Sequence, residues 1–156
     1  MMPNLRKAAM AMAVLISFTL PSFASDPDAI LGVWLTPQKD GTFEIYRTDD
    51  NKYFGKILGG DGPEQFDTKN PDPDLRSRSL VGVNFLSDFA YNADKAEWVD
   101  GKIYDPNNGR TYDCKMWLDA EDPSKLNARG FLGIAAFGRT EVFTRVAQGN
   151  DTQAGE

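Results

Sequence analysis

No helix-length window of this chain carries apolar residues at the i, i+3, i+4, i+7 spacing of an amphipathic helix. Short runs instead alternate apolar and polar residues, with turn residues between them. Leu31 to Thr36 is one such run, ended by Pro37, and Thr42 to Thr48 is the next, with Phe43, Ile45 and Arg47 on one face. Asp49-Asp50-Asn51 then turns the chain into Lys52 to Leu58, which predicts an antiparallel hairpin. A second hairpin runs from Lys102-Ile103-Tyr104 through Asp105-Pro106-Asn107-Asn108-Gly109 to Thr111–Leu118. There Asn-Gly supplies the positive φ that tight turns require. Tyr112, Cys114, Met116 and Leu118 share one face of the outgoing strand, and Thr111, Asp113 and Lys115 face away, with Trp117 an exception. Further strands are predicted over 125–130 and 140–146. Ser79 to Leu86 is an apolar run whose continuation, with Phe85, Leu86, Phe89 and Ala90, also suits a short helix. In 156 residues this is one all-β domain. The expected architecture is a small antiparallel up-and-down β-barrel, with a β-sandwich as the alternative.

The beginning of the chain reads differently. Arg6 and Lys7 precede an apolar stretch from Ala8 to Leu20, Pro21 breaks it, and Ser22-Phe23-Ala24 offers small residues before a cut. That is the pattern of a secretory signal peptide over residues 1–24. The domain is then expected over 25–146, with a tail without periodicity over 147–156, in a periplasmic or secreted protein. The mature chain is expected to contain no integral membrane segment. Cys114 is the single cysteine, so no disulfide closes within the chain, and a small buried apolar residue is the expected role.

With no histidine at all, Ser-His-Asp triads, Cys-His pairs and His-ligated zinc are excluded. A formal net charge of −6 argues against a nucleic-acid footprint. Phosphate-binding and nucleophile-elbow motifs are missing, and no enzyme activity, cofactor or metal is expected. Asp105 to Gly109 has its glycine misplaced for a calcium loop. Asp61, Glu64, Asp67, Asp72 and Asp74 share one loop and read as solvated acids.

That loop, from Gly59 to Arg78, is the longest connection, and its prolines exclude a regular strand or helix. It contains Asn70-Pro71-Asp72-Pro73-Asp74-Leu75-Arg76-Ser77-Arg78. Together with Ile30-Leu31-Gly32-Val33-Trp34, the segment Ile103–Gly109, Arg129-Gly130-Phe131-Leu132-Gly133, and Gly138-Arg139-Thr140 running to Thr144-Arg145-Val146, it resembles an exported bacterial family, domain of unknown function 2147. Phe131 and Phe143 stand where that family more often shows tyrosine and tryptophan. The resemblance implies a fold and an envelope location and brings no activity. Gly32-x-Trp34 with Arg145 also looks like the Gly-x-Trp and arginine pair of lipocalin-like barrels. In that resemblance Gly32, Trp34 and Arg145 are structural, the tryptophan closing one end and the arginine packing across its face.

The expected function is a periplasmic carrier of one small, largely apolar ligand inside the barrel. Its pocket is drawn from Phe43, Ile45, Val83, Phe85, Tyr112, Met116 and the run beginning at Phe131. Tyr104, Arg76 and Arg129 are the polar candidates, although the arginines can equally pin the long loop. The run 131–137 reads as core, or else as a flap or a contact patch. The alternative function is a cell-envelope module for a protein partner, with a filled barrel and no ligand. The two divide on whether the interior is hollow.

Overall fold

The computed structural model describes residues 26–147; the expected leader, and the expected tail beyond Ala147, lie outside them. Among the described residues the alternating runs become eight strands: β1 (Gly32–Leu35), β2 (Thr42–Arg47), β3 (Tyr53–Gly59), β4 (Asn84–Asn92), β5 (Glu97–Asp105), β6 (Arg110–Leu118), β7 (Lys125–Phe131) and β8 (Arg139–Arg145). Each pairs antiparallel with the next, and β8 returns to β1, so the sheet is a closed barrel in sequence order and not a sandwich.

The two ends differ. Tight turns join β2 to β3, β4 to β5 and β6 to β7 at one end, where a 3-10 turn over Pro27–Ile30 lies across the opening. The other end carries the loops 36–41, 60–83, 106–109 and 132–138. Trp34, Phe43, Ile45, Leu86, Phe89, Met116 and Leu126 fill the interior between them.

Of the run read from Ser79 to Leu86 only its end lies in strand β4, which continues through Phe89 and Ala90 where a short helix is the option, while 79–83 belongs to the long loop. Asp88 has φ 64 and Asp100, across on β5, has φ 61; the register of β4 on β3 shifts between Tyr53↔Phe89 and Gly55↔Leu86, and that of β5 on β6 between Trp98↔Met116 and Gly101↔Cys114. These bulged positions let Leu86 and Phe89 face the same interior despite their three-residue spacing, which is what imitated a helix. The interior here also depends on a missing side chain. A Cβ at Gly101 would fall 2.3 Å from the Phe89 ring, itself sealed inside. We expect Gly101→Ala to cost about 2–3 kcal/mol or more in urea unfolding, since the ring has no room to yield. A change below about 1 kcal/mol would show that Phe89 is not held against this strand.

Candidate functional site

The expected pocket lies in the barrel interior. Phe43 sits with its ring edge-on to Phe85 at 4.9 Å and to Phe143 at 4.8 Å between centroids. Trp98 receives the Tyr53 ring in the same way at 6.2 Å and the Tyr91 ring tilted at 50° and 5.0 Å. Side chains that line a hollow keep surface open to it, yet Trp34, Phe43, Ile45, Leu86, Phe89 and Met116 are each 1% exposed or less. Near the loop-bearing end a Cβ at Gly130 would lie 3.3 Å from Ile103 Cγ2, although β6 stands between their strands. Side chains therefore fill this part of the interior and leave no hollow against them. Phe43, Ile45 and Met116 belong to that core. Phe85, Ile103 and Tyr112 are half-buried around its open-end surface. Tyr112 faces inward in register with Ile103, and its hydroxyl accepts a bond from Asn108 Nδ2 at 3.1 Å. Val83 also sits half-buried at this end, its carbonyl accepting from Ile57 N–H at 3.0 Å.

The polar candidates go elsewhere. Tyr104 alternates with inward Ile103 and so leaves the interior; this corrects the expectation that it heads the pocket. Arg129 pairs with Lys115 on the outer face, again because strand alternation sends its neighbours Ala128 and Gly130 inward. Phe131 is paired with Asp113 on that same outer face. Arg76 is exposed on the long loop and donates from Nε to the Asn70 carbonyl at 2.8 Å.

These departures build a second feature that the sequence did not single out. Asp67, counted among the solvated loop acids, is fully buried. Its Oδ2 accepts from Arg78 Nη2 at 2.8 Å, Arg78 Nε at 3.0 Å and Asn70 Nδ2 at 2.7 Å, and its Oδ1 accepts the Tyr104 hydroxyl. Burial pushes this carboxyl up, but the bonds from Tyr104, Asn70 and Arg78 outweigh it and hold the group below the ordinary carboxylate range. Burial and the facing carboxylate push the Tyr104 hydroxyl up to about 12. The Asn70–Arg78 motif thus ties the long loop to β5, and Asp72 caps the single 3-10 turn over Pro73–Leu75. Among the described residues no three acidic or cysteine side chains are grouped to hold a metal ion. Cys114 is buried against the interior, and desolvation pushes its thiol up to about 12, far from a reactive thiolate.

The third feature is the rim. The run 131–137, read in the main as core, leaves the sheet at Phe131, turns at Gly133 with φ 77, and ends in a 3-10 turn over Ala135–Phe137. Leu132, Ile134 and Phe137 are 67%, 63% and 87% exposed. Arg129 explains why the loop stands in this shape. Its Nε donates to the Ala135 carbonyl at 2.6 Å, Nη2 to the Ala136 carbonyl at 3.0 Å, and Nη1 to Thr140 Oγ1 at 2.9 Å. The guanidinium fork satisfies the carbonyls of an apolar loop and so frees its side chains to point outward. Val81 and Leu58, at the β3–β4 end of the same rim, are exposed as well.

At the opposite end lie Gly32, Trp34 and Arg145. Gly32 has φ +116, which favours glycine, and the Arg145 guanidinium lies 4.1 Å from the Trp34 ring centre. A surface depression of about 700 Å³ lies outside the wall here, between Asp28–Val33 and Arg145–Ala147.

The model of a family described as an uncharacterized protein conserved in bacteria, DUF2147, matches residues 32–145. Among solved structures, protein HP1028 from Helicobacter pylori, described as belonging to the lipocalin family, superposes with a TM-score of 0.65. It is 24% identical, over 76% of this chain and 83% of its own, a likeness of fold. No curated protein sequence matches.

Proposed function

The chain belongs to the bacterial family DUF2147, and we propose that it is an exported module of the cell envelope that engages a protein partner at the open end of a filled, lipocalin-like barrel. The observation that carries this reading is the contrast between interior and rim. Large apolar side chains inside the wall are sealed, while Leu132, Ile134 and Phe137 stand in solvent on a loop braced from behind by Arg129. Burying each such side chain is worth about 1.5–3 kcal/mol, so the three together form a usable contact and not a scattered exposure. Export is supported by the leader pattern from Arg6 to Ala24.

A carrier of a small apolar ligand is the second reading, favoured by the half-buried Phe85, Ile103 and Tyr112 around the open end. One experiment separates the two. Protein taken directly from the periplasm is weighed by native mass spectrometry, and a photo-crosslinking residue is placed at Phe137 in living cells. A bare mass, with one discrete protein adduct that disappears in Ile134→Asp, is the expected result. A small added mass, lost on denaturation and recovered in an organic extract, would replace the module with the carrier.

A further inference from the structure

The barrel is closed by a thin seam. β1 meets β8 at Trp34↔Arg145 and Leu35↔Thr144, with Val146 N–H donating to the Val33 carbonyl at 2.9 Å beside them. Above Thr144, β8 continues from Phe143 up to Arg139, but β1 has turned away. Its diversion is written in the sequence. Thr36 N–H bonds the Gly41 carbonyl at 3.0 Å across the β1–β2 hairpin, and Pro37, which would come opposite Val142, has no N–H to offer a ladder.

The direction of the β8 main chain follows from one bond. Arg145 N–H donates to Ser124 O at 2.7 Å, on the β7 side. In an antiparallel ladder successive residues present their N–H and C=O to opposite sides, so Thr144, Val142 and Thr140 present theirs to the side that β1 occupies and then vacates. Such an edge is a template for another strand. It carries no lysine or proline between Arg139 and Arg145, and Val142 is exposed beside it.

We propose that this upper edge of β8 pairs with the same edge of a second copy of the chain. The charges choose the partner and the register. Antiparallel pairing about a twofold axis through Thr140 sets Arg139 opposite Glu141 of the second copy, and Glu141 opposite its Arg139. Val142 then faces Gly138, which has no side chain to obstruct it. A shift to an axis through Glu141 would set two glutamates directly opposite, which is unfavourable. Within one chain Arg139 Nε already holds Glu141 Oε1 at 2.7 Å, so the pairing joins two such ion pairs into a network of four charges. The contact is isologous and closes at two copies. It uses the side of the barrel and reaches Gly138, the last residue of the rim loop.

Sedimentation equilibrium of the protein purified from the periplasm, from low micromolar to millimolar concentration, tests this. The mass is expected to rise from one copy to two. Val142→Lys, at an exposed position, is expected to weaken association by about tenfold or more with an unchanged circular-dichroism spectrum. Glu141→Arg is expected to abolish the dimer, and the double exchange Arg139→Glu with Glu141→Arg to restore it. A single-copy mass at every concentration, growth beyond two copies, or a dimer indifferent to the charge changes overturns the proposal.

Discussion

Replacing Trp34 by alanine is expected to remove about 3–5 kcal/mol of stability, the cost of deleting a fully buried large aromatic side chain. Against a total of roughly 5–15 kcal/mol for a domain, this leaves the barrel near its unfolding threshold. The indole does three things at once. It fills the floor, its Nε1–H donates to the Ile30 carbonyl at 2.9 Å, and its face receives the Arg145 guanidinium at 4.1 Å. Arg145 in turn donates to the Leu31 carbonyl at 2.8 Å and to the Ala29 carbonyl, so the 3-10 turn that crosses the opening hangs on the same pair. Two further tethers, Trp98 Nε1–H to the Pro27 carbonyl at 3.2 Å and Tyr53 hydroxyl to Asp28 Oδ1 at 3.1 Å, hold the turn from the other wall. Trp34→Phe keeps most of the buried area and loses the N–H bond, so its expected cost is about 1–2 kcal/mol. Trp117 is the control, because it is half-buried on the outer face of β6 beneath the Lys115 ammonium, and its loss is expected to cost under about 1 kcal/mol. Urea unfolding of the three variants measures this directly. Equal costs for Trp34→Ala and Trp117→Ala would mean that Trp34 does not seal the floor.

The legibility of this fold in the sequence follows from which interactions are local. The inward set Tyr112, Cys114, Met116 and Leu118 is readable because β6 keeps an uninterrupted two-residue period. β4 and the first half of β5 are not, because the bulged Asp88 and Asp100 break that period, and an aspartate tolerates a positive φ without requiring one. Trp98 is lost to view for the same reason, lying just before the bulge. In the 131–137 run the apolar composition argues for core, while Gly133, at φ 77, carries the turn that expels it. A single register step decides the facing of Tyr104 and Arg129, and pairing across strands, not composition, sets that step. Filling could not be read at all. Whether eight strands enclose a void depends on how far Phe43, Phe89 and Ile103 reach across, and that is a property of all the walls together.

Asp67 is the least legible residue of consequence, since its partners stand 3, 11 and 37 positions away in Asn70, Arg78 and Tyr104. Its removal is the second large effect. Asp67→Ala leaves the Tyr104 hydroxyl and the Arg78 guanidinium without their acceptor beside a buried gap, and we expect a loss of roughly 2–4 kcal/mol. The same carboxylate links stability to acid. Its folded pKa lies below the unfolded value, so its contribution is present above the unfolded pKa of about 3.9 and is lost as pH falls through the folded one. Tyr104 acts in the opposite sense. Its folded pKa is raised from the ordinary 10.0 to about 12, so the neutral hydroxyl stabilises fully below pH 10.0 and the gain disappears as pH climbs towards about 12. Unfolding free energy is therefore expected to fall at both limbs. Asp67→Asn, which keeps the shape and removes the charge, should flatten the acid limb, and Tyr104→Phe should flatten the alkaline one. The Cys114 thiol, pushed up to about 12, and the Tyr53 hydroxyl, pushed up by burial, also titrate late when folded, so the alkaline series belongs in a Cys114→Ala, Tyr53→Phe background. An acid limb of unchanged steepness in Asp67→Asn would place the titrating group elsewhere and reduce the buried carboxylate to a filler of space. If the limb flattens as expected, the long loop is anchored to the barrel by one buried charge, and the open end keeps its shape above the acid range because that charge is held.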